Sequence, residues 1–228
     1  MIRIILLMII GSCWASFCCT MTWRYLLDTH HHSGARWSVC DHCGHRLNAW
    51  QLIPIFGFII QQGHCRYCGT KIDYWWPLCE VIMGTLWSIS ANQSSITIFL
   101  TICVSSACLI ISTQDHFDHR FQPAWLFSWP LMLMNCHWPR NLLLDFILIA
   151  ILTAGYFCRR IGHGDLDAMI MLTIVLGSYH SSIIILFACL LILLYPPLYH
   201  RQPIAFIPFL SLALLSFLVF STFSRLLC

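Results

Sequence analysis

Four aspartates stand where apolar segments meet polar ones: Asp115 and Asp118 in TQDHFDHRFQPAW, and Asp165 and Asp167 in RRIGHGDLDAM. An ionised carboxylate at the centre of a membrane helix costs about 2.5–3.5 kcal/mol, so acidic residues beside apolar runs call for a reason. Two facing aspartates supply one. Like charges about 3 Å apart cannot both ionise, and one carboxyl keeps its proton. The ionised member then activates water as general base while the protonated member polarises a peptide carbonyl. Hydrolysis by such a pair needs neither a metal nor a covalent intermediate. Gly162 and Gly164 leave room for an extended substrate backbone beside Asp165. The plainer reading makes Asp165 a helix N-cap; a second acidic loop on the same side of the membrane favours catalysis.

A second cluster is built from thiols. CDHCGHR at 40–46 and CRYCGTK at 65–71 are two CxxCG units separated by 21 residues. Each places two thiols on one turn, and the following glycine tolerates the positive φ that such a turn needs. Cys40, Cys43, Cys65 and Cys68 together make a closed tetrahedral zinc site. The spacing lies one residue beyond the usual range for this pattern. With no open position for water the metal is expected to be structural, holding together an insert too small to fold alone. Redox pairs are the lesser alternative. The other ten of the 14 cysteines fall in or beside apolar runs, where a thiol behaves as a small hydrophobe.

The elements that must position these groups are membrane helices. The chain is 59% hydrophobic and 9% charged, with a mean hydropathy of +0.76. Soluble domains carry about 25% charged residues, so an all-α polytopic membrane protein is expected. A net charge of +3 gives no case for nucleic acid. A spanning helix needs about 20 apolar residues. Residues 2–23 form the first, retained rather than cleaved, followed by the one long polar stretch at 25–77. Further helices are expected near 78–92, 96–113, 122–138, 141–157, 166–179, 181–199 and 203–224, eight in all. This divides the chain into helix 1 (1–24), a cytoplasmic zinc-binding insert (25–77) and helices 2–8 with the acidic loops (78–228). Lys and Arg in short loops stay cytoplasmic. With the insert inside and the N-terminus outside, nine basic residues lie on the cytoplasmic side against three on the other. The triple histidine at 30–32 is read as solvated loop.

In this order the motifs resemble the type IV prepilin peptidases. GSCWASF at 11–17 is similar to that family's Gly-Ser-Phe segment, and NAWQLIPIFGFIIQQGHCRYCGTKI at 48–72 to its cysteine-bounded stretch. YWWPLCEVIMG at 74–84 resembles its Tyr-Pro-x-x-Glu segment, and an aspartate and Gly-x-Gly-Asp follow. The likeness covers about residues 10 to 170. It implies an integral-membrane aspartyl protease of the bacterial inner membrane, cutting the leader from prepilin or pseudopilin precursors at the cytoplasmic face. Many members also methylate the new N-terminus with S-adenosylmethionine. The family's catalytic aspartates map to Asp165 and to Asp115, with Asp118 as the alternate. Asp167 departs from the lysine usual at that position. The cysteine-rich, lysine-poor character is similar to the competence-pilus branch. Glu80 either pairs with a basic group to steady its helix, the reading favoured on physical grounds, or helps bind substrate. The natural substrate and oligomeric state are not legible.

Two rivals follow from the same residues. Asp115, His116, Asp118, His119, His163 and Asp165 contain enough ligands for a metal-dependent intramembrane hydrolase, though no HExxH pair is present. A membrane-anchored zinc module or a proton-coupled transporter would use the carboxylates without hydrolysis. Membrane lipids surround the chain in every case.

Overall fold

The computed structural model describes residues 1–29, 37–119, 121–134, 141–194 and 205–227, with the backbone alone at 27–29, 131–134 and 221–227. The histidines at 30–32, Arg36, Arg120, Arg140, Arg201, Cys136 and Cys228 lie outside the described residues. Among the described residues the protein is helical, without strands, and divides into two units, Met1–Ser94 and Ser95–Cys228.

In the first unit helix α1 (Ile2–Thr29) packs along helix α3 (Trp75–Ile89). The buried residues of α1 include Gly11, Ser12, Ala15, Cys19, Thr22 and Leu26, a stripe at helical spacing. Small residues let the backbones close up, as helices do where no water drives them together. A Cβ on Gly11 would lie 2.8 Å from the Met83 carbonyl oxygen, and one on Gly84 would meet Ser12 Oγ and sit 2.9 Å from the Met8 carbonyl. Ser12 Oγ donates to the carbonyls of Met8 and Glu80, both at 3.0 Å. Gly11, Ser12 and Ala15 of GSCWASF thus lie on the contact face of a helix pair. Between α1 and α3 run the two cysteine turns, a 3-10 turn at Ala49–Leu52 and the short helix α2 (Phe56–Ile60).

The second unit holds helix α4 (Ser95–Asp118), a 3-10 stretch at Pro123–Met134, and helices α5 (Leu142–Phe157), α6 (His163–Leu193) and α7 (Ile207–Leu227). Helix α7 packs on both α4 and α6, and α5 packs on α6. Ile111, Leu172, Leu176, Ile184, Leu210 and Leu214 are fully buried here.

Several expected spans are redrawn. The helices placed at 166–179 and 181–199 are one run, α6, broken rather than ended at Gly177 (φ 78°, ψ 166°). The break is held from outside: Asp145 of α5 accepts the N–H of Ser178 on Oδ1 at 2.6 Å, satisfying a donor left over where the second half of the helix begins. Of the span expected at 122–138, Pro123–Met134 is a 3-10 coil with Pro130 inside it, and Pro cannot donate to a helical ladder; 135–138 lie outside the described residues. Three helices are long and apolar enough to cross a membrane, within Ile2–Leu26, Ser95–Asp118 and His163–Leu193; Leu142–Phe157 and Ile207–Phe220 are shorter apolar helices. Clear spans among the described residues are therefore fewer than the eight expected.

Candidate active site and cysteine centre

The two cysteine turns repeat one another bond for bond. Gly44 N–H donates to the Cys40 carbonyl at 2.8 Å and Cys40 N–H to His45 at 2.9 Å; Gly69 N–H donates to Cys65 at 2.9 Å and Cys65 N–H to Thr70 at 2.8 Å. Gly44 and Gly69 sit at φ 67° and 73°, the left-handed region where glycine carries no Cβ penalty. Single antiparallel bridges, Val39 with Arg46 and His64 with Lys71, close the two turns. The Sγ atoms of Cys40, Cys43, Cys65 and Cys68 all lie within 4.8 Å of one another, with Cys40 and Cys68 3.9 Å apart. A tetrahedron with metal–sulfur bonds of about 2.3 Å has edges of about 3.8 Å, so the four thiols fit a metal ion. Thr70 Oγ1, 3.3 Å from Cys68 Sγ, helps lower that thiol to about 6, whereas burial pushes Cys40 up to about 11.

Glu80 belongs to the helix pair. It is buried, its Oε2 accepts the N–H of Ile55 at 2.6 Å, and its carboxylate also bonds Ser16. Among the described residues these are its partners, in place of the basic group expected for it.

The acidic loops meet in the second unit. Asp115 lies in the last turn of α4 and is 6% exposed. Its Oδ2 accepts the N–H of Ile207, the first residue of α7, at 3.0 Å, which holds one oxygen against a helix N-terminus. Asp165 is half-buried in the first turn of α6, and Asp115 is the charged group that bears on it. The N-cap of α6 is Gly162, whose carbonyl accepts Leu166 N–H at 3.0 Å. Asp165 is therefore not the cap, and its carboxylate is available for another role.

The glycines make room within the protein itself. A Cβ on Gly162 would sit 3.1 Å from Asp165 Oδ2, and one on Gly164 would sit 2.7 Å from Cε1 of Phe121, on the chain leaving α4. Larger residues would thus push on the carboxylate and on the approach of the two loops. Asp118 is half-buried, one turn beyond Asp115. Asp167 pairs instead with His163, Nδ1 to Oδ2 at 3.2 Å, on the exposed side of the same helix. His116 and His119 lie within electrostatic reach of Asp115. Sequence reasoning missed Ile207 and Phe121; neither has a chemical signature, and each acts through a backbone N–H or a ring edge. It also gave no role to Asp145, although an acid inside an apolar helix was a signal.

A helical chain with apolar helices long enough to cross a membrane, a four-thiol cluster and two acidic stretches lying side by side is thus the class defined here. Residues 9–94 match the model of the bacterial peptidase A24 N-terminal domain. Curated relatives from several bacteria carry the name prepilin leader peptidase/N-methyltransferase. That of Bacillus subtilis (strain 168) is 26% identical over 190 residues, 75% of this chain and 76% of its own. That of Burkholderia pseudomallei (strain 1026b) is 45% identical over 49 residues, 22% of this chain and only 16% of that protein's length. The Neisseria gonorrhoeae relative is 39% identical over 56 residues, 25% of this chain and 20% of its own. No solved structure is similar. These matches bear out the resemblance to the type IV prepilin peptidases.

Proposed function

We propose that this chain is an aspartyl endopeptidase of the bacterial inner membrane that removes the leader from prepilin-like precursors at the cytoplasmic face. What supports the reading is that the charge of Asp115, on α4, bears on Asp165, on α6, and that Phe121, just past α4, lies against Gly164 beside it. One carboxylate takes a proton from water, and the oxygen attacks the scissile carbonyl carbon. The other donates its proton to the carbonyl oxygen. Collapse of the tetrahedral species breaks the C–N bond, and the proton first taken from water passes to the leaving amine. Asp115 is preferred to Asp118 because its carboxylate is buried, pinned by Ile207 and within reach of Asp165. The basic residues of the insert and of the acidic loops favour the cytoplasmic side.

In this reading zinc is held by Cys40, Cys43, Cys65 and Cys68 and fastens the insert. Its chemistry there is structural, since four thiolates fill a tetrahedral ion. N-methylation with S-adenosylmethionine, which the relatives' shared name includes, is the second activity proposed. The metal-dependent alternative has less support: among the described residues only the four cysteines converge as a ligand set, while His163 is turned to Asp167. Co-expression with a prepilin-like substrate tests the proposal. Leader removal appears as a band shift and methylation as a mass gain of one methyl group; full cleavage by Asp165→Asn would end the aspartyl reading.

A further inference from the structure

Within the first unit the stretch LIPIFGFII, residues 52–60, turns five large apolar side chains outward. Leu52, Ile53, Phe56, Ile59 and Ile60 are between 44% and 62% exposed. Side chains of this size clustered on one short loop mark a surface that something covers. What covers them follows from where the loop lies along the helix pair. Glu80 accepts the N–H of Ile55 and also bonds Ser16 of α1. Ser16 is eight residues before Arg24, or about 12 Å along the helix at 1.5 Å per residue. On α3, Glu80 is five residues past Trp75, about 7.5 Å from that helix's start.

The cysteine end of the insert sits at another level. Asp41, inside the first cysteine turn, accepts the indole N–H of Trp23 at 3.3 Å. Trp23, Arg24 and Tyr25 are residue types that collect where apolar core gives way to headgroups. From Asp41 to Ile55 the insert therefore runs inward along α1 by about two helical turns, seven residues at about 1.5 Å each. Its tip lies beside the apolar part of α1, near the level of Phe17, which is 52% exposed on the outer face of that helix. Trp50, at the root of the loop, has the Arg66 guanidinium over its ring at 5.7 Å, a pairing suited to the boundary.

We propose that residues 52–60 are a re-entrant wedge in the bilayer leaflet on the insert's side, their outward side chains resting on acyl chains. Non-helical backbone at that depth requires internal hydrogen-bond partners. Pro54 has no N–H to satisfy, Phe56 N–H donates to the Pro54 carbonyl at 2.6 Å, and Gly57 N–H to Ile53 at 2.8 Å. Ile55 is the exception at the tip. It sits at φ 63°, a conformation a β-branched residue adopts only under constraint. The Glu80 carboxylate supplies both the constraint and the acceptor. This role for Glu80 is independent of the peptidase reading.

The test uses the full chain in lipid nanodiscs with a photoactivatable carbene probe on the acyl chain, mapped by peptide mass spectrometry. Residues 52–60 should label within about threefold of the outward face of α1, and the cysteine turns at least about tenfold less. Glu80→Leu should lower labelling of 52–60 about fivefold with the zinc content unchanged, while Glu80→Gln, whose amide oxygen still accepts the Ile55 N–H, should retain it. Phe56→Asp with Ile59→Asp provides a second variant that expels the loop without touching the helix pair. Labelling of 52–60 by a water-soluble probe at the level of the cysteine turns would overturn the wedge. So would displacement of the lipid label by a peptide carrying a prepilin-like apolar segment, which would make the surface a protein groove.

Discussion

In the first unit four thiols arrive on two turns, each closed by hydrogen bonds between residues at most nine apart in the chain. In the second unit Asp115 and Asp165 stand 50 positions apart, and Asp115 is pinned by Ile207, 92 positions away. The first arrangement is local and repeats itself; the second exists only when α4, α6 and α7 are packed. The contrast teaches where each unit is vulnerable. A turn closed by its own backbone survives a distant change, whereas a pair of acids carried on separate helices moves with every helix that supports them. The matched family model ends at residue 94, where the first unit ends.

The sharpest probe of this contrast is the acid pair. Asp165→Asn and Asp115→Asn are each expected to cut leader removal by about 10³-fold or more, on the scale of lost general acid–base catalysis, while the protein still inserts. Asp118→Asn should stay within about threefold of the parent. A reversed pattern for Asp115 and Asp118, read from band shifts, would move the site one turn along α4. Next in size is Cys65→Ser. It should reduce bound zinc from one per chain to near none by elemental analysis, and expose the 40–71 segment to protease without disturbing α4 to α7. Loss of protection in both units would break the claim that they are separately held.

Smaller effects bear on the helix contacts. Gly84→Leu should cost about 1–3 kcal/mol through overpacking against Ser12 and Met8, seen as a lower melting temperature in detergent. Asp145→Leu removes the acceptor for Ser178 and should cost about 1.5–3 kcal/mol, with Asp145→Asn recovering much of it because an amide oxygen still accepts. If Asp145→Leu lowers peptidase turnover more than it lowers stability, the break in α6 serves the placement of Asp165 as well as the fold.

Legibility divided along physical lines. The cysteine turns could be read because their chemistry is a spacing: two thiols, a tight turn and a glycine at positive φ. The apolar runs at 2–23 and 96–113 could be read because membrane length imposes a minimum. The junction at 179–181 could not be read correctly, because Gly177 looks alike whether it ends a helix or bends one. That choice was made by Asp145, on a different helix. Glu80 was read as pairing with a basic group or helping to bind substrate; its partners here are the Ile55 N–H and Ser16, and a backbone N–H carries no residue signature. Gly162 and Gly164 were seen as room for a substrate; packing adds that a Cβ at either would meet Asp165 or Phe121.

From residue types and order alone came a helical membrane chain, a four-thiol insert after its first helix, and acidic residues gathered at helix ends. These depend on hydropathy, length and local turn geometry, which neighbouring residues settle among themselves. Which acid faces which, where a helix bends and what a buried carboxylate holds were decided by packing. Those partners lie far along the chain, and only the assembled helices bring a particular N–H or ring edge within reach.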